Sequence, residues 1–386
     1  MPVSQLDRRA FLLRGTAAGL ASTANASPAQ SPVDRFIAAQ LRQAGIPGAG
    51  IGFAQAGQVI FARGYGYADL ATNRSVTGAT LFHIASITKT VTATAVMKLV
   101  ESGRMAVDAP INDYLDFPVV NPAHKAVPIR VRHLLMHTSS ISEDTYQAVD
   151  FRARGADTNL PLDRFLKDLL VPGGRYYSAT GCYSAAVPGT VWNYVNTGFA
   201  LLGYIAGRAA GEDLRIYIDR EIFAPLGVLH AAWRLADIAP GSAATPYDDA
   251  DGRLAPTAPV ALPDWPAGML RASAADFSRF IAMSANRGAA SGVRLLRGGT
   301  LNQMLAMTSL PGLPNWLTGQ GLAWAESPLG GIGRPNHWGG DPGVFTVAYL
   351  DPASRSGVVI LTNATATRAR KDAVQAIAAR LLAEGA

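Results

Sequence analysis

At 386 residues, with 49% hydrophobic and 16% charged side chains, the chain can bury a large core in one big domain or two lobes, which excludes an intrinsically disordered protein. Its 39 glycines and 24 prolines follow no fixed period and no repeat of solenoid length is present, which removes collagen-like, low-complexity and solenoid classes. The formal charge of +6 is mild, its arginines are scattered among acids, and no basic-aromatic interleaving speaks for nucleic acid, so a solvated basic surface is expected. Cys182 is the only cysteine, so no intrachain disulfide can form, and no cluster of Cys, His or carboxylates has the spacing of a metal site; neither metal nor cofactor is expected.

The elements begin with an address. Residues 7 to 13 read Asp-Arg-Arg-Ala-Phe-Leu-Leu and lead into a weakly apolar Ala/Gly/Leu stretch ending at Ala21, an arrangement that resembles a twin-arginine export signal. The stretch is too short and too rich in small residues to span a bilayer, and Ala24-Asn25-Ala26 supplies an A-x-A cleavage site. Residues 1–26 are therefore expected to be a removed signal, with a periplasmic or secreted mature chain of charge +4. No later segment has the uninterrupted apolar length of a membrane helix.

A helical pattern over 32–43 is followed by two short apolar runs, Gly50–Ala54 and Val59–Tyr67, flanking Gln55-Ala56-Gly57-Gln58, the signature of a hairpin. Residues 86–102 carry a helical period with Val91, Ala95 and Leu99 on one side, ending at Gly103. From 106 to 265 helical patterns are broken by Pro/Gly/Ser loops, including Pro172-Gly173-Gly174 and the long connection from Asp248 to Pro266, which predicts an inserted, mainly helical lobe. A helix over Ala274–Asn286, strand-like runs at Gly321–Glu326, Val344–Leu350 and Gly357–Thr362, and a helix over Lys371–Leu382 complete the chain. Strands at both ends with helices between them predict an α+β fold: one antiparallel sheet flanked by helices, built from residues 27–105 and 266–386, with 106–265 as the inserted lobe.

Ser86-Ile87-Thr88-Lys89 sets a hydroxyl and an amine at i and i+3, on one helix face and within hydrogen-bonding reach. A serine hydroxyl is a poor nucleophile until a neighbour removes its proton, and a lysine does so only if burial or positive potential lowers its pKa. The helix start supplies such potential, and the Ser86 backbone NH is placed to meet a developing oxyanion. The spacing alone is common, but its context is not. With Phe82-His83-Ile84-Ala85 before it, Thr90 after it, and Met97-Lys98-Leu99-Val100-Glu101-Ser102-Gly103 beyond, the sequence resembles the class C β-lactamase and DD-peptidase family.

That resemblance extends in chain order over residues 32 to 384. Tyr194-Val195-Asn196, inside Pro188-Gly189-Thr190-Val191-Trp192-Asn193 and before Thr197-Gly198-Phe199, matches the family's second motif. It implies a phenol that relays a proton to the leaving group, its pKa lowered from about 10 by the nearby cation of Lys89. It further implies an Asn196 amide that offers donor and acceptor to the substrate. His337-Trp338-Gly339 resembles the third motif, on a strand edging the cleft, with Gly340-Asp341-Pro342-Gly343 continuing in the family manner. The implied roles are substrate contact for His337, Trp338 and Gly339, with glycine allowing close approach, and the Gly340 NH as second oxyanion donor beside Ser86. Arg132-His133-Leu134-Leu135-Met136-His137-Thr138-Ser139-Ser140 corresponds to a family run ending H-T-S-G and is read as scaffold, with Ser140 in the glycine position.

Two departures bear on substrate. Members that bind penicillins or peptide C-termini place a hydroxyl in the middle of the third motif for the substrate carboxylate; Trp338 has none, and His337 replaces a permanent lysine charge while Asp341 adds a negative one. The expectation is a serine hydrolase forming an acyl-enzyme on an ester or amide of a small molecule or peptide, an esterase or D-amino-acid peptidase or amidase. The alternatives are a β-lactamase or DD-carboxypeptidase and, from another class, a weakly catalytic penicillin-binding or ligand-sensing module. The loop 173–186, with Arg175, Tyr176, Tyr177 and Tyr183, suits equally a wall of the cleft and a loop packed on its own side chains.

Overall fold

The computed structural model describes residues 31–250 and 253–384; residues 1–26, where an export signal is expected, lie outside that range. Its first helix, α1 (Pro32–Gln43), has Pro at N1 and a capping box: the Ser31 hydroxyl accepts from the Asp34 NH, and the Asp34 carboxylate accepts from the Ser31 NH. Asp34 also accepts from Arg63 and Tyr65 at 2.8 and 2.7 Å, which fastens the helix start to the neighbouring sheet.

The expected hairpin is longer than its apolar runs. Strands β1 (Gly48–Gln55) and β2 (Gln58–Asp69) are joined by Ala56 and Gly57, both at positive φ, the two-residue turn whose twist suits a hairpin. A short β3 (Arg74–Ser75) pairs with the end of β2. Next come α2 (Thr88–Glu101), α3 (Asn196–Ala210) and α4 (Ala274–Ala285), and then β4 (Gly319–Gln320), β5 (Ala325–Leu329), β6 (Ile332–Asp341), β7 (Val344–Asp351), β8 (Ser356–Thr362) and α5 (Arg368–Glu384). The antiparallel sheet runs β4-β5-β6-β7-β8-β1-β2-β3, so the last strand pairs with the first, Ile51 opposite Ile360 and Phe53 opposite Val358. The fold is α+β, and its sheet is assembled from both ends of the chain.

Helices α1 and α5 cover one face, where Ile37, Leu41, Ile377 and Leu381 bury against Ile51, Phe53, Val347 and Ile360. Helix α4 covers the other, and the small residues of β1 let it lie close: a Cβ on Gly52 would fall 1.7 Å from the Ser278 hydroxyl. Between residues 106 and 265 lie the helices Val131–Leu135, Leu162–Leu170, α3 and Leu214–Ile218, whose apolar residues join α2 and α4 in one buried cluster.

Two expectations change. The pattern over 86–102 suggested one apolar side, but α2 is buried on nearly every side because it runs through the middle of that cluster. The run Gly321–Glu326 is not one strand. Ala323 turns left-handed, and the backbone NH groups of Leu322 and Ala323 bond to the carbonyls of Met304 and Leu135, so the run breaks between β4 and β5. Strand β6, which carries the third motif, has no apolar alternation to announce it; only the resemblance implied a strand there.

Candidate active site

The segment Leu81–His83 pairs with Arg271–Ser273 and leads through Ile84 to Ala85, a non-glycine residue at φ +47, which swings the chain into a tight 3₁₀ turn, Ala85–Ile87, ahead of α2. The hydroxyls of Thr88 and Thr90 donate back to the carbonyls of Ala85 and Ile87 at 2.6 and 2.7 Å, holding that turn. Ser86 therefore stands half-exposed in a stiff turn before the helix rather than in its first turn.

Lys89 is fully buried beneath it. Its Nζ makes three hydrogen bonds, to Ser86 Oγ at 3.3 Å, Asn196 Oδ1 at 2.7 Å and the Ala267 carbonyl at 2.7 Å. Burial draws its pKa down to about 7, against the pull of Asp264 and Glu143, which favour the charged form. The amine thus has a substantial neutral fraction near pH 7, the state in which it can accept a proton from Ser86.

Tyr194 lies next to this pair, with Lys89 Nζ 4.8 Å from its ring centre and the Ser86 hydroxyl beside its oxygen. Its phenol pKa is raised by burial and by Glu143 and Asp264, against the Ser86 hydrogen bond. The expected lowering is corrected: the lysine faces the ring, and the phenol stays protonated. His137, at φ +57, stacks its ring 4.4 Å from that of Tyr194 and accepts from the Val195 NH at 3.2 Å, so it positions the second motif from behind.

Asn196 opens α3 and bridges Lys89 to Glu143: its Oδ1 accepts from the lysine and its Nδ2 donates to Glu143 Oε2 at 3.1 Å. Most of the amide's capacity is spent inside the protein, one Nδ2 hydrogen remaining for a substrate. Glu143, itself buried, also accepts from the backbone NH and hydroxyl of Thr197, where a carboxylate suits the helix start.

Strand β6 closes the other side. The two-residue turn Pro342-Gly343 pairs Asp341 with Val344, and antiparallel alternation then directs the Gly340 NH away from β7 to the open edge of the strand, where Gly340 and Ser86 line one cavity of 210 Å³. Glu143, Asn196, Asp264 and Asp341 complete much of its wall. Two larger clefts, of 850 and 970 Å³, contain none of Ser86, Lys89 or Tyr194. Here chemistry and not size marks the candidate site. Among the described residues no group of His, Cys, Asp and Glu has the arrangement of a metal site.

The family model for beta-lactamase matches residues 33–382. The chain belongs to the beta-lactamase family. It is 31% identical to esterase EstB of Burkholderia gladioli over 61% of this chain and 59% of that protein. It is 30% identical to penicillin-binding protein 4 of Amycolatopsis lactamdurans over 76% of this chain and 74% of that one. Among solved structures, the D-amino acid amidase of Ochrobactrum anthropi SV3, complexed with L-phenylalanine amide, superposes with a TM-score of 0.73 at 22% identity, covering 90% of this chain and 97% of that one. The octameric penicillin-binding protein homologue of Pyrococcus abyssi gives 0.71 at 24% identity, covering 91% and 76%. These last two likenesses concern the fold.

Against that family the third motif departs in ways the structure makes specific. His337 is buried and its Nδ1 donates to the Trp338 carbonyl at 2.9 Å; burial and then Lys89 pull its pKa down to about 3, so the ring is neutral and no cation stands in its place. Trp338 is not where substrate contact was expected. The pleat turns its indole onto the opposite sheet face, against Phe345, Tyr349 and Trp316, and it takes no part in the wall of the cavity around Ser86. Gly339 has a reason other than substrate approach: a Cβ there would fall 2.5 Å from the Ile84 carbonyl and 2.3 Å from the Thr346 hydroxyl, inside the turn that presents Ser86. Ser140, in the usual glycine position of the H-T-S-G run, sits at φ +63, the conformation that favours glycine, and its hydroxyl accepts from Asn121 at 2.9 Å.

The loop 173–186 is resolved in favour of packing for Tyr183, which is buried and donates to the Leu170 carbonyl at 2.8 Å. Sequence reasoning missed Glu143, Tyr146, Arg152 and Asp264, all on the cavity wall. Asp264 stands in the proline-rich connection read as a spacer, where its setting between Pro263 and Trp265 was the available signal; Glu143 follows the H-T-S-S run by three residues, between Ser142 and Asp144, and carries no such signal.

Proposed function

We propose that the chain is an exported serine hydrolase acting on an ester or amide through an acyl-enzyme. The Ser86 Oγ attacks the carbonyl carbon while its proton passes to neutral Lys89. Collapse of the tetrahedral intermediate expels the leaving oxygen or nitrogen, which takes the Tyr194 proton, and Lys89 restores the phenol. Water then attacks the acyl carbon and releases Ser86. The backbone NH groups of Ser86 and Gly340 receive the oxyanion, a contribution of roughly 3 kcal/mol per donor. The observation that carries this reading is a buried lysine amine 3.3 Å from an accessible serine hydroxyl with its pKa drawn down to about 7.

Within the class, an esterase or a D-amino-acid peptidase or amidase is favoured over a β-lactamase or DD-carboxypeptidase. A neutral His337, a third motif without a hydroxyl and three carboxylates at the cavity oppose an anionic substrate group. An esterase and an amidase stand among its relatives and structural neighbours, beside penicillin-binding proteins and a D-alanine carboxypeptidase, so the preference rests on the site's charges. Periplasmic or secreted location belongs to the same proposal and rests on residues 1–26; among the described residues no helix is long and apolar enough to cross a membrane. A fluorophosphonate probe tests the nucleophile: labelling and p-nitrophenyl ester turnover are expected to vanish in Ser86→Ala, and labelling that persists at this site rejects the assignment.

A further inference from the structure

The cavity beside Ser86 has an unusual charge inventory. Glu143, Asp264 and Asp341 line it, and the basic groups close to them are already engaged. Lys89 spends its three donors on Ser86, Asn196 and the Ala267 carbonyl, and none reaches a carboxylate. Arg152 lies 3.7 Å from Asp341 and 3.5 Å from Asp150, on the solvent side. Arg271 donates to the carbonyls of Met269 and Val260.

The carboxylates are not equally satisfied. Glu143 accepts from Asn196 and twice from Thr197. Asp264 is 3% exposed; its Oδ2 accepts from the Tyr146 hydroxyl at 3.0 Å, while its Oδ1 is buried without any partner. A buried carboxylate oxygen left unpaired is costly, and an ammonium group is the partner that offsets this most fully. Burial, and Asp264 beside them, push Asp341 up to about 6 and Glu143 up to about 7, against the pull of Arg152 on Asp341 and of Thr197 and Lys89 on Glu143.

We propose that this cavity selects substrates whose acyl part carries an ammonium group close to the scissile carbonyl, as in an aminoacyl ester or amide, with Asp264 as its principal acceptor and Asp341 and Glu143 supplying the surrounding negative potential. The proposal rests on the reading of Ser86 as the acylated residue. A cavity of 210 Å³ suits a small acyl group, and a carboxylate-bearing one would be repelled from the same wall.

The test compares p-nitroanilides of both enantiomers of 2-aminobutanoic acid with those of 2-methylbutanoic acid, in which a methyl replaces the ammonium, and of succinic acid. One 2-aminobutanoyl enantiomer is expected to exceed the methyl isostere in kcat/KM by about 10- to 100-fold, the range of a charge-assisted hydrogen bond, with the succinyl compound slowest. Asp264→Asn is expected to reduce that ratio to about threefold or less; because both substrates are measured on the same variant, the ratio separates recognition from any general effect on Lys89 and from the intrinsic activation of the carbonyl by the ammonium. Ser86-dependent turnover with no preference for the ammonium compound, or a preference undiminished in Asp264→Asn, overturns the inference and leaves the hydrolase reading standing. If neither turnover nor probe labelling depends on Ser86, the hydrolase reading fails and this inference with it.

Discussion

Lys89 Nζ lies 3.3 Å from Ser86 Oγ and within 2.7 Å of Asn196 Oδ1, so the amine that would deprotonate the serine is held by two other acceptors in a fully buried position. Burial lowers its pKa to about 7, and a lysine must be neutral to act as a base. Acylation is therefore expected to rise with pH through a single step near 7 and to level off above it. Glu143 and Asp264 both hold the charged form of Lys89 in place, so Glu143→Gln should move that step to lower pH, on the order of half a unit to one unit. A pH profile of pre-steady-state acylation by an activated ester checks both; a step unmoved, or moved upward, counts against Lys89 as the titrating group.

Removing the amine itself is a harsher change. Lys89→Met keeps the length of the side chain and is expected to lower kcat by about 10²–10⁴, the usual contribution of a positioned base. Circular dichroism and thermal unfolding show whether the variant is folded. A folded variant that retains more than about a tenth of the wild-type rate removes Lys89 from the mechanism.

Tyr194 gives a prediction of a different kind because its phenol stays protonated. Burial, Glu143 and Asp264 raise its pKa, so it is ready to donate a proton and poorly placed to take one. Tyr194→Phe retains the ring against His137 and Lys89 and deletes only the hydroxyl. The loss should follow leaving-group need: about 10²-fold or more for an anilide, whose nitrogen must be protonated, and under about tenfold for a p-nitrophenyl ester. Equal losses on both substrates would place the phenol in serine activation instead.

The sequence made the frame and the motif residues legible for physical reasons that can be named. A hairpin with a two-residue turn, the helical pattern of α1 and the continuous apolar runs of β7 and β8 are local patterns, and Ser86 to Lys89 is a spacing on one turn. What stayed hidden depends on long-range contact. Asp264 reaches the site only because α2 and the turn at Trp265–Ala267 pack together, and Glu143 only because α3 begins beneath it. The indole of Trp338 shows the limit most clearly: its position in the motif was readable, but the side of the sheet it faces was fixed by the pairing of β6 with β7, and that pairing turned it away from the cavity.

At the far end of the fold, Asp34 couples the start of α1 to β2 and offers a pH test of stability. Although burial opposes the charge, hydrogen bonds from Tyr65, Arg63 and Ser31 hold its pKa down to about 2, below the unfolded value of 3.8. The stabilisation is therefore present above pH 4 and lost as the pH falls from about 4 to 2. Asp34→Asn should lower stability by roughly 1 kcal/mol at pH 7, with the difference from wild type closing across that window in denaturant titrations.

Adjacent glycines in the third motif make the last prediction, and they should behave oppositely. A Cβ on Gly340 meets no atom within 4 Å, whereas one on Gly339 would fall 2.5 Å from the Ile84 carbonyl and 3.1 Å from the Ala85 side chain. Gly339→Ala must then displace β6 or the 3₁₀ turn, at a cost of roughly 1–3 kcal/mol in stability, and either movement alters the spacing between Ser86 and the Gly340 NH. The same substitution at Gly340 should leave the unfolding midpoint within about 0.5 kcal/mol of wild type. Measured together by chemical unfolding and fluorophosphonate labelling, Gly339→Ala is expected to lose stability and slow labelling. If Gly339→Ala is as stable and as quickly labelled as wild type, the turn bearing Ser86 does not depend on the close approach of β6.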